Sequence, residues 1–326
     1  MKSHYLSLII PFILFSCADP FSFIEYDESE EQKIETAISQ TNQIRMHDHI
    51  AAIEGDRSTD IPSYELSVYE DYLCNYLDTI LGLTVTREPV PYGSRSMDNI
   101  IAVKHGSDSG LAPVYVIAHW DTVHRSPGAD DNGSGCAGIL ETAECIRDIN
   151  LTRDVVFIMF AYEEWRMIGS YYHVSRMDRK PVAVLDLEMI GFISDAEVAP
   201  ALFENFLGFP KYGDFLGIFT DKNSRNLGMN FIRVIDDFVP GLKYYLAAMD
   251  DNLENNEELQ DIYRSDHAPF WEKGIPALFI TDTADFRGDT PYHTSDDTIE
   301  HINFDFMELT VKATIGTVLL YAGMEL

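Results

Sequence analysis

Two adjacent carboxylates, Asp130 and Asp131, lie in the polar segment GADDNGSG, directly before a stretch that becomes apolar. The glycines let the backbone turn tightly, and we expect a helix to begin near Ser134. A carboxylate has two oxygens, so Asp131 could bind one cation with each of them. The segment therefore predicts a metal-binding loop at the start of a helix.

Histidines and carboxylates also follow several apolar runs of the chain: His119 and Asp121, Glu163 and Glu164, and Glu188 follow closely, and His293 follows ALFIT after a loop. Each residue alone has an ordinary explanation, such as a buried histidine, a glutamate at the positive end of a helix, or a capped turn in YHTSDDT. Because ligands bind beyond the carboxyl ends of strands in open α/β sheets, the joint occurrence of these residues instead indicates a site.

Imidazole and carboxylate together suit Zn²⁺. One bridging aspartate, with a histidine and an acid on each side, would hold two zinc ions about 3.5 Å apart. One of the adjacent Glu163 and Glu164 would then bind metal. The other could accept a proton from a metal-bridging water, whose pKa the cations lower.

These residues require a sheet whose strand ends meet at one edge. The short apolar runs are NIIAV, VYVIA, VVFIMF, VAVLDL and ALFIT, and the segments CAGILETAECI and WRMIGSYYHV between the middle ones have helical character. A helical lead precedes them at residues 30–52, followed by YELSVYEDYLCNYLDTIL. The alternation predicts an α/β, three-layer sandwich with a mainly parallel central sheet flanked by helices.

The composition supports one large domain. The 326 residues are 46% hydrophobic, which is enough for a sizeable core, and we expect one domain over residues 18–326. Residues 192–264 show less regular alternation and are interpreted as an excursion that covers one end of the sheet, near the active site. The net charge of −31 argues against nucleic acid and anionic membrane surfaces as partners.

Residues 1–17 have the features of a signal peptide: Lys2, a short apolar run at 6–15, and then Cys17. The segment LFSC resembles the lipobox of bacterial lipoproteins, which predicts a lipid anchor at Cys17; the alternative is an ordinary secretory peptide. In both cases we expect an exported protein of the cell envelope, in the periplasm or at the cell surface. Cys136 and Cys145 lie too far apart along one helix to form a disulfide.

The motifs AHWDTV, PGADDNGSG, AYEEW, LEMIG, SDHAPFWEKGIPAL and YHTSDDT occur in an order and spacing that resemble the co-catalytic zinc aminopeptidases of clan MH, metallopeptidase family twenty-eight. The resemblance covers residues 99–304 and implies the zinc-peptidase (phosphorylase/hydrolase-like) fold with a mixed central sheet. It also implies two Zn²⁺ per chain. One zinc would be held by His119, Asp131 and Glu188, and the other by Asp131, Glu164 and His293.

The same resemblance implies that Glu163 is the general base and that Asp121 orients the ring of His119. Tyr292 occupies the position from which some family members stabilise the oxyanion. Asp266 and His267 are interpreted as supporting residues. The pattern HDH at residues 47–49 has no counterpart in the family, and we expect it on a solvated helix.

One position departs from the commonest family pattern, which has Asp before MIG where this chain has Glu188. Asp186 and Glu188 point to the same side of a strand, so either could reach the metal. The register with MIG favours Glu188.

The expected reaction is removal of N-terminal amino acids from peptides by a metal-bridging hydroxide, with Glu163 taking and returning the proton. The pocket walls are expected from residues 192–264 and from the loop TDTADFRGD. Two alternatives stay open. One is a glutaminyl cyclase-like, single-zinc aminoacyltransferase, and the other is a non-catalytic envelope binding module.

Overall fold

The computed structural model describes residues 21–92, 95–198, 209–248, 261–288 and 290–325. The predicted signal peptide with Cys17, and parts of the predicted excursion at 192–264, lie outside the described residues. None of the described helices combines the length and the apolar composition that crossing a membrane requires.

A sheet of eight described strands has the order β1-β2-β4-β3-β5-β8-β6-β7. The strands are β1 Thr84–Tyr92, β2 Arg95–Lys104, β3 Val114–His119, β4 Val155–Phe160, β5 Ala183–Glu188, β6 Leu216–Thr220, β7 Tyr244–Ala248 and β8 Ala277–Thr281. The central strands β4, β3, β5 and β8 are parallel, whereas β2 and β6 run antiparallel to their central neighbours. The predicted mixed α/β sheet is confirmed.

Helices cover both faces of the sheet. They are α1 Glu28–Ile38, α2 Gln43–Ile53, α3 Ser63–Asn75, α4 Gly133–Cys145, α5 Ile168–Val174, α6 Arg225–Phe238, α7 Ala268–Glu272 and α8 Phe304–Ala322. Alternate strand residues point to opposite faces, so Val116 packs in one apolar layer and Ile117 in the other. The first layer is completed by α1–α4, α6 and α8, and the second contains Val174 of α5 and Phe270 of α7.

The helical lead is two helices rather than one. Asn42 separates them, because its side chain accepts the N–H groups of Ile44 and Arg45 and so caps α2. The expectation that HDH lies on a solvated helix is wrong for His49, which is buried with its Nδ1 2.8 Å from the Tyr72 hydroxyl. His49 lies on the inner face of α2, whereas His47 is exposed.

The segment predicted as an irregular excursion extends the sheet instead. Residues 214–248 form β6, α6 and β7, and β6 pairs antiparallel with β8. Each of these two strands has five residues, as ALFIT of β8 has, but glycine in β6 and the two alanines of β7 are uncommon in strands and make these two segments harder to recognise. Cys74, Cys136 and Cys145 are free thiols, so Cys136 and Cys145 do not pair with each other, as predicted.

Candidate metal centre

The predicted site residues meet at the carboxyl ends of the central strands. His119 ends β3, directly opposite Phe160 at the end of β4, and Glu188 ends β5 opposite Thr281 of β8. The loop after β4 carries Glu163 and Glu164. The loop before α4 carries Asp131, and His293 comes from the loop after β8.

The first cluster consists of His119, Asp131 and Glu188, all buried. His119 Nε2 lies 3.2 Å from Asp131 Oδ1 and 3.2 Å from Glu188 Oε1. On the other side of the ring, Nδ1 lies 3.1 Å from the backbone carbonyl oxygen of Asp121, which can only accept a hydrogen bond. Nδ1 therefore donates its N–H to this carbonyl oxygen, which leaves Nε2 to act as a ligand when a cation is bound.

The second cluster consists of Asp131, Glu164 and His293. His293 Nε2 lies 3.1 Å from Asp131 Oδ2 and 3.2 Å from Glu164 Oε2. The candidate ligand atoms of each cluster lie within 4.8 Å of one another. Asp131 belongs to both clusters, and its two oxygens face different imidazoles.

The charge of the site fits bound cations. Burial raises the pKa of Glu163 well above its usual range and that of Glu164 to about 7, with nearby carboxylates adding to both effects. Glu164 Oε1 is buried and has no hydrogen-bond partner among the described residues. Buried carboxylates need positive charge nearby, and the imidazole and carboxylate donors here suit Zn²⁺.

Glu163 belongs to neither cluster, although its Oε2 lies 4.0 Å from His119 Nε2. The backbone N–H groups of Glu163 and Glu164 donate to the two carboxylate oxygens of Asp121, at 3.1 and 3.3 Å. The predicted contact of the Asp121 carboxylate with the His119 ring is the longer one, at 3.5 Å. Asp121 thus orients the ring chiefly through its carbonyl oxygen, while its carboxylate holds the glutamate loop.

Glu188, rather than Asp186, faces the cluster. Glu188 Oε2 accepts a hydrogen bond from Ser265 Oγ at 2.7 Å, while its Oε1 faces His119. Asp186 Oδ2 instead accepts the backbone N–H of His267 at 3.0 Å and lies 3.0 Å from His267 Nδ1. His267 therefore supports Asp186 behind the site.

Tyr292 stacks on His293, with ring centroids 3.7 Å apart. Its hydroxyl lies 3.4 Å from Arg264 Nη2. Burial, together with the negative charge of Asp131 and Glu164, raises the pKa of the Tyr292 hydroxyl, so this group stays protonated and can donate a hydrogen bond.

Two residues that the sequence interpretation missed hold the Asp131 loop. The Asp297 carboxylate accepts the N–H groups of Asp130 at 2.8 Å and Asp131 at 3.1 Å, and burial raises its pKa to about 7. The only sequence signal is its place in YHTSDDT, where a turn cap is the simpler interpretation. The buried Arg57 donates to the carbonyl oxygens of Trp120 and of residues 127 and 128, a role without any sequence signal.

An open pocket of about 650 Å³ adjoins both clusters. Its apolar lining includes Met189, Phe219, Ile262, Phe279 and Phe286. Phe219 and Ile262 come from residues 192–264 and Phe286 from TDTADFRGD, the two segments expected to supply pocket walls.

A family model described as Peptidase family M28 matches residues 99–318. The uncharacterized protein YfbL of Escherichia coli is 30% identical over an alignment of 256 residues that covers 72% of this chain and 74% of YfbL. Aminopeptidase YwaD of Bacillus subtilis is 30% identical over an alignment of 219 residues that covers 65% of this chain and 42% of YwaD. The chain thus spans less than half the length of YwaD.

Solved structures share the fold. LapA of Legionella pneumophila superposes with a TM-score of 0.73 at 22% identity, over 92% of this chain and 78% of LapA. BSAP, a zinc aminopeptidase from Bacillus subtilis, gives 0.54 at 25% identity, over 70% of this chain and 51% of BSAP. A glutaminyl cyclase of Porphyromonas gingivalis gives 0.63 at 19% identity, over 85% of this chain and 98% of the cyclase.

The LapA and cyclase matches show the fold alone, because their sequence identities are low. The family model and the aminopeptidase relatives confirm the predicted family and the predicted class of enzyme, a metallo-aminopeptidase. The matched region contains every predicted metal ligand. The family model matches well over half of the residues of the chain. The chain therefore belongs to peptidase family M28.

Proposed function

We propose that the chain removes N-terminal amino acids from peptides with two zinc ions and with Glu163 as the general base. One ion would be held by His119, Asp131 and Glu188, and the other by Asp131, Glu164 and His293. The observation that carries this proposal is the position of Asp131, whose oxygens lie 3.2 and 3.1 Å from two different imidazoles. A carboxylate in that position has the geometry of a bridging ligand.

When bound, the zinc ions would polarise the scissile carbonyl group and lower the pKa of a bound water. The Glu163 carboxylate is free of both clusters and can accept the proton of the attacking water. It then delivers that proton to the leaving amine. The protonated Tyr292 hydroxyl can donate a hydrogen bond to the carbonyl oxygen as negative charge develops on it.

The surroundings of the site favour a free N-terminus and an apolar first residue. The free α-amino group of a peptide would bind at the metal ions and the acidic rim of the pocket. The adjoining pocket, with Phe219, Phe279 and Phe286, can bury a large apolar side chain. We therefore include leucine, methionine and phenylalanine among the preferred first residues.

The two alternatives receive less support. A glutaminyl cyclase shares the fold, but a single-zinc site leaves no role for a second histidine opposite a shared aspartate. A binding module without catalysis leaves no role for a carboxylate such as Glu163 beside the first cluster.

The test compares leucine p-nitroanilide with its N-acetylated form, using the full-length protein with zinc. We expect hydrolysis of the free amine and almost none of the acetylated compound. Formation of pyroglutamate from a glutaminyl peptide, without hydrolysis, would favour the cyclase. Absence of both reactions in zinc-loaded protein would favour the binding module.

We further propose export and lipid anchoring through residues 1–17. The support is the apolar run followed by LFSC, in which Cys17 is the acceptor. In bacteria supplied with labelled palmitate, the full-length chain should incorporate label, and Cys17→Ser should not. Equal labelling of the two chains would refute the anchor.

A further inference from the structure

The loop that carries Glu163 is strained. It comprises residues 161–167, between β4 and α5, and is called here the general-base loop. Three of its residues have positive φ angles although none of them is glycine: Tyr162 at 59°, Arg166 at 67° and Met167 at 58°. Such conformations persist only where the surrounding structure holds them, and they concentrate at functional sites.

The side chain of Asn99, on β2, joins the first residue of this loop to the start of α5, the helix that follows the loop. Its Oδ1 accepts the backbone N–H of Ala161 at 3.0 Å, and its Nδ2 donates to the carbonyl oxygen of Gly169 at 3.0 Å. Asn99 is fully buried. Ala161 and the start of α5 approach so closely that a Cβ atom on Gly169 would lie 2.1 Å from the Ala161 carbonyl oxygen.

The orientation of the Asn99 amide is fixed from the other side. Its Nδ2 also donates to Glu88 Oε2 at 2.7 Å, and Glu88 lies directly opposite Asn99 in the β1–β2 ladder. His173 Nδ1, from α5, lies 3.2 Å from the same Glu88 oxygen. Both donor hydrogens and the acceptor oxygen of Asn99 are thus used, so a flipped amide would face repulsive contacts.

The general-base loop is therefore held at two levels. Asp121 holds the N–H groups of Glu163 and Glu164, and Asn99 holds Ala161 against the start of α5. Since proton transfer depends on the placement of the base, a small displacement of this loop reduces the rate more than it reduces substrate binding.

We propose that Asn99, oriented by Glu88, is a positioning residue that sets the location of the Glu163 carboxylate. This inference rests on the proposed function, because Asn99 touches neither cluster and acts through Glu163.

The test is Asn99→Asp in the full-length, zinc-loaded protein, with leucine p-nitroanilide as substrate. The change keeps the shape of the side chain but turns a donor into an acceptor that faces Glu88 and the Gly169 carbonyl. We expect kcat to fall roughly 10–100-fold, with KM and zinc content close to those of the wild type. The control is Asn150→Asp, which adds the same charge at an exposed position and should leave kcat unchanged.

Two further variants keep the test decisive if Asn99→Asp does not fold. Glu88 is partly exposed, and Glu88→Ala removes the acceptor that orients Asn99. This variant should lower kcat without changing KM or zinc content. In Asn99→Asp the new carboxylate faces the carboxylate of Glu88. Adding Glu88→Gln removes the repulsion between them and should restore part of kcat.

Wild-type kcat in folded Asn99→Asp overturns the inference, as does wild-type kcat in Glu88→Ala. If the proposed role of Glu163 were wrong, Glu163→Gln would leave hydrolysis unchanged as well. That result distinguishes failure of the proposed function from failure of the inference about Asn99. If Glu163→Gln loses activity while Asn99→Asp keeps it, only the positioning role of Asn99 is wrong.

Discussion

Asp131 lies between two histidines that come from distant parts of the chain. Its Oδ1 is 3.2 Å from His119 Nε2 and its Oδ2 is 3.1 Å from His293 Nε2. Neither contact depends on the neighbouring Asp130, whose Oδ1 accepts the backbone N–H of Gly191. The adjacent carboxylates of GADDNGSG therefore have different roles, one facing the site and one holding the loop that follows β5.

Glu163→Gln tests the general base. An amide cannot accept the proton of the attacking water, so we expect kcat to fall on the order of 10²–10⁴-fold. Zinc content should stay unchanged, because Glu163 lies in neither cluster. Steady-state kinetics and metal analysis measure both quantities, and Glu35→Gln, an exposed change of the same kind, is the control. A near-normal rate in Glu163→Gln would contradict the assignment.

Glu188→Ala and Asp186→Ala test which of two acids is the metal ligand. Glu188 lies in LEMIG, and Asp186 directly precedes this motif. Glu188 faces His119, whereas Asp186 accepts hydrogen bonds from His267. Glu188→Ala should therefore weaken or remove one zinc, and Asp186→Ala should reduce metal affinity by roughly 10–100-fold at most. Metal analysis of the two purified variants decides the question. Loss of zinc in Asp186→Ala alone would identify Asp186 as the ligand.

Residues whose side chains can bind metal could be predicted from the sequence. Residues that hold the site by contacts to backbone groups were missed. His119 and Glu188 could be found because each ends an apolar run. Asp297, Arg57 and Asn99 instead contact main-chain atoms far away in the sequence. Such contacts leave no pattern in a single sequence, because any residue offers the same N–H or carbonyl group.

At the level of elements, loops rather than strands complete the site. The loop before α4 is joined to the loop at residues 291–298 by the Asp297 carboxylate, and by a hydrogen bond from the Ala129 N–H to the Asp297 carbonyl oxygen at 3.1 Å. The second of these loops also carries His293. These contacts of Asp297 thus hold the loop of Asp131 against the loop of His293.

Asp297→Asn tests this contact between loops. The carboxylate accepts two N–H groups, whereas an amide offers one acceptor oxygen and presents its NH₂ group to the other N–H. We expect zinc affinity to fall roughly 10–100-fold, measured by competition with a chelator. Asp296→Asn, the exposed neighbour in the same motif, is the matched control and should bind zinc normally. Equal affinities in the two variants would show that the contact is unimportant.

The predicted strands were those with uniform apolar runs. VYVIA and VVFIMF are buried on both faces of the sheet and so lack alternation, which made them recognisable. The edge strand β1 contains two prolines and is largely exposed, and β6 and β7 are short. These strands are defined by pairing with neighbours rather than by their own composition.

At the level of the whole molecule, the buried His49 makes stability depend on pH. Burial, together with the nearby charge of Arg45, lowers the pKa of His49 to about 4. The unfolded chain, with a pKa of about 6.5, binds the proton first as the pH falls. The stability from neutral His49 is therefore present above about pH 6.5 and is lost as the pH falls towards 4.

His49→Gln removes this titration. Between pH 7 and pH 5 the wild type should lose roughly 2 kcal/mol more of its free energy of unfolding than the variant does. Urea denaturation of both proteins at the two pH values measures the difference. His47→Gln, on the exposed face of the same helix, should behave as the wild type. Identical pH dependence in His49→Gln and the wild type would show that His49 is not the cause.

The most direct test of the central claim, that two zinc ions share Asp131, is a titration of the metal-free protein with Zn²⁺. Bound zinc and hydrolysis of leucine p-nitroanilide are measured on the same samples, with Asp131→Ala as the comparison. We predict that two zinc ions bind per chain, that activity is greatest with both bound, and that Asp131→Ala loses metal from both clusters. Full activity with a single bound ion, or two ions retained in Asp131→Ala, would contradict the shared site.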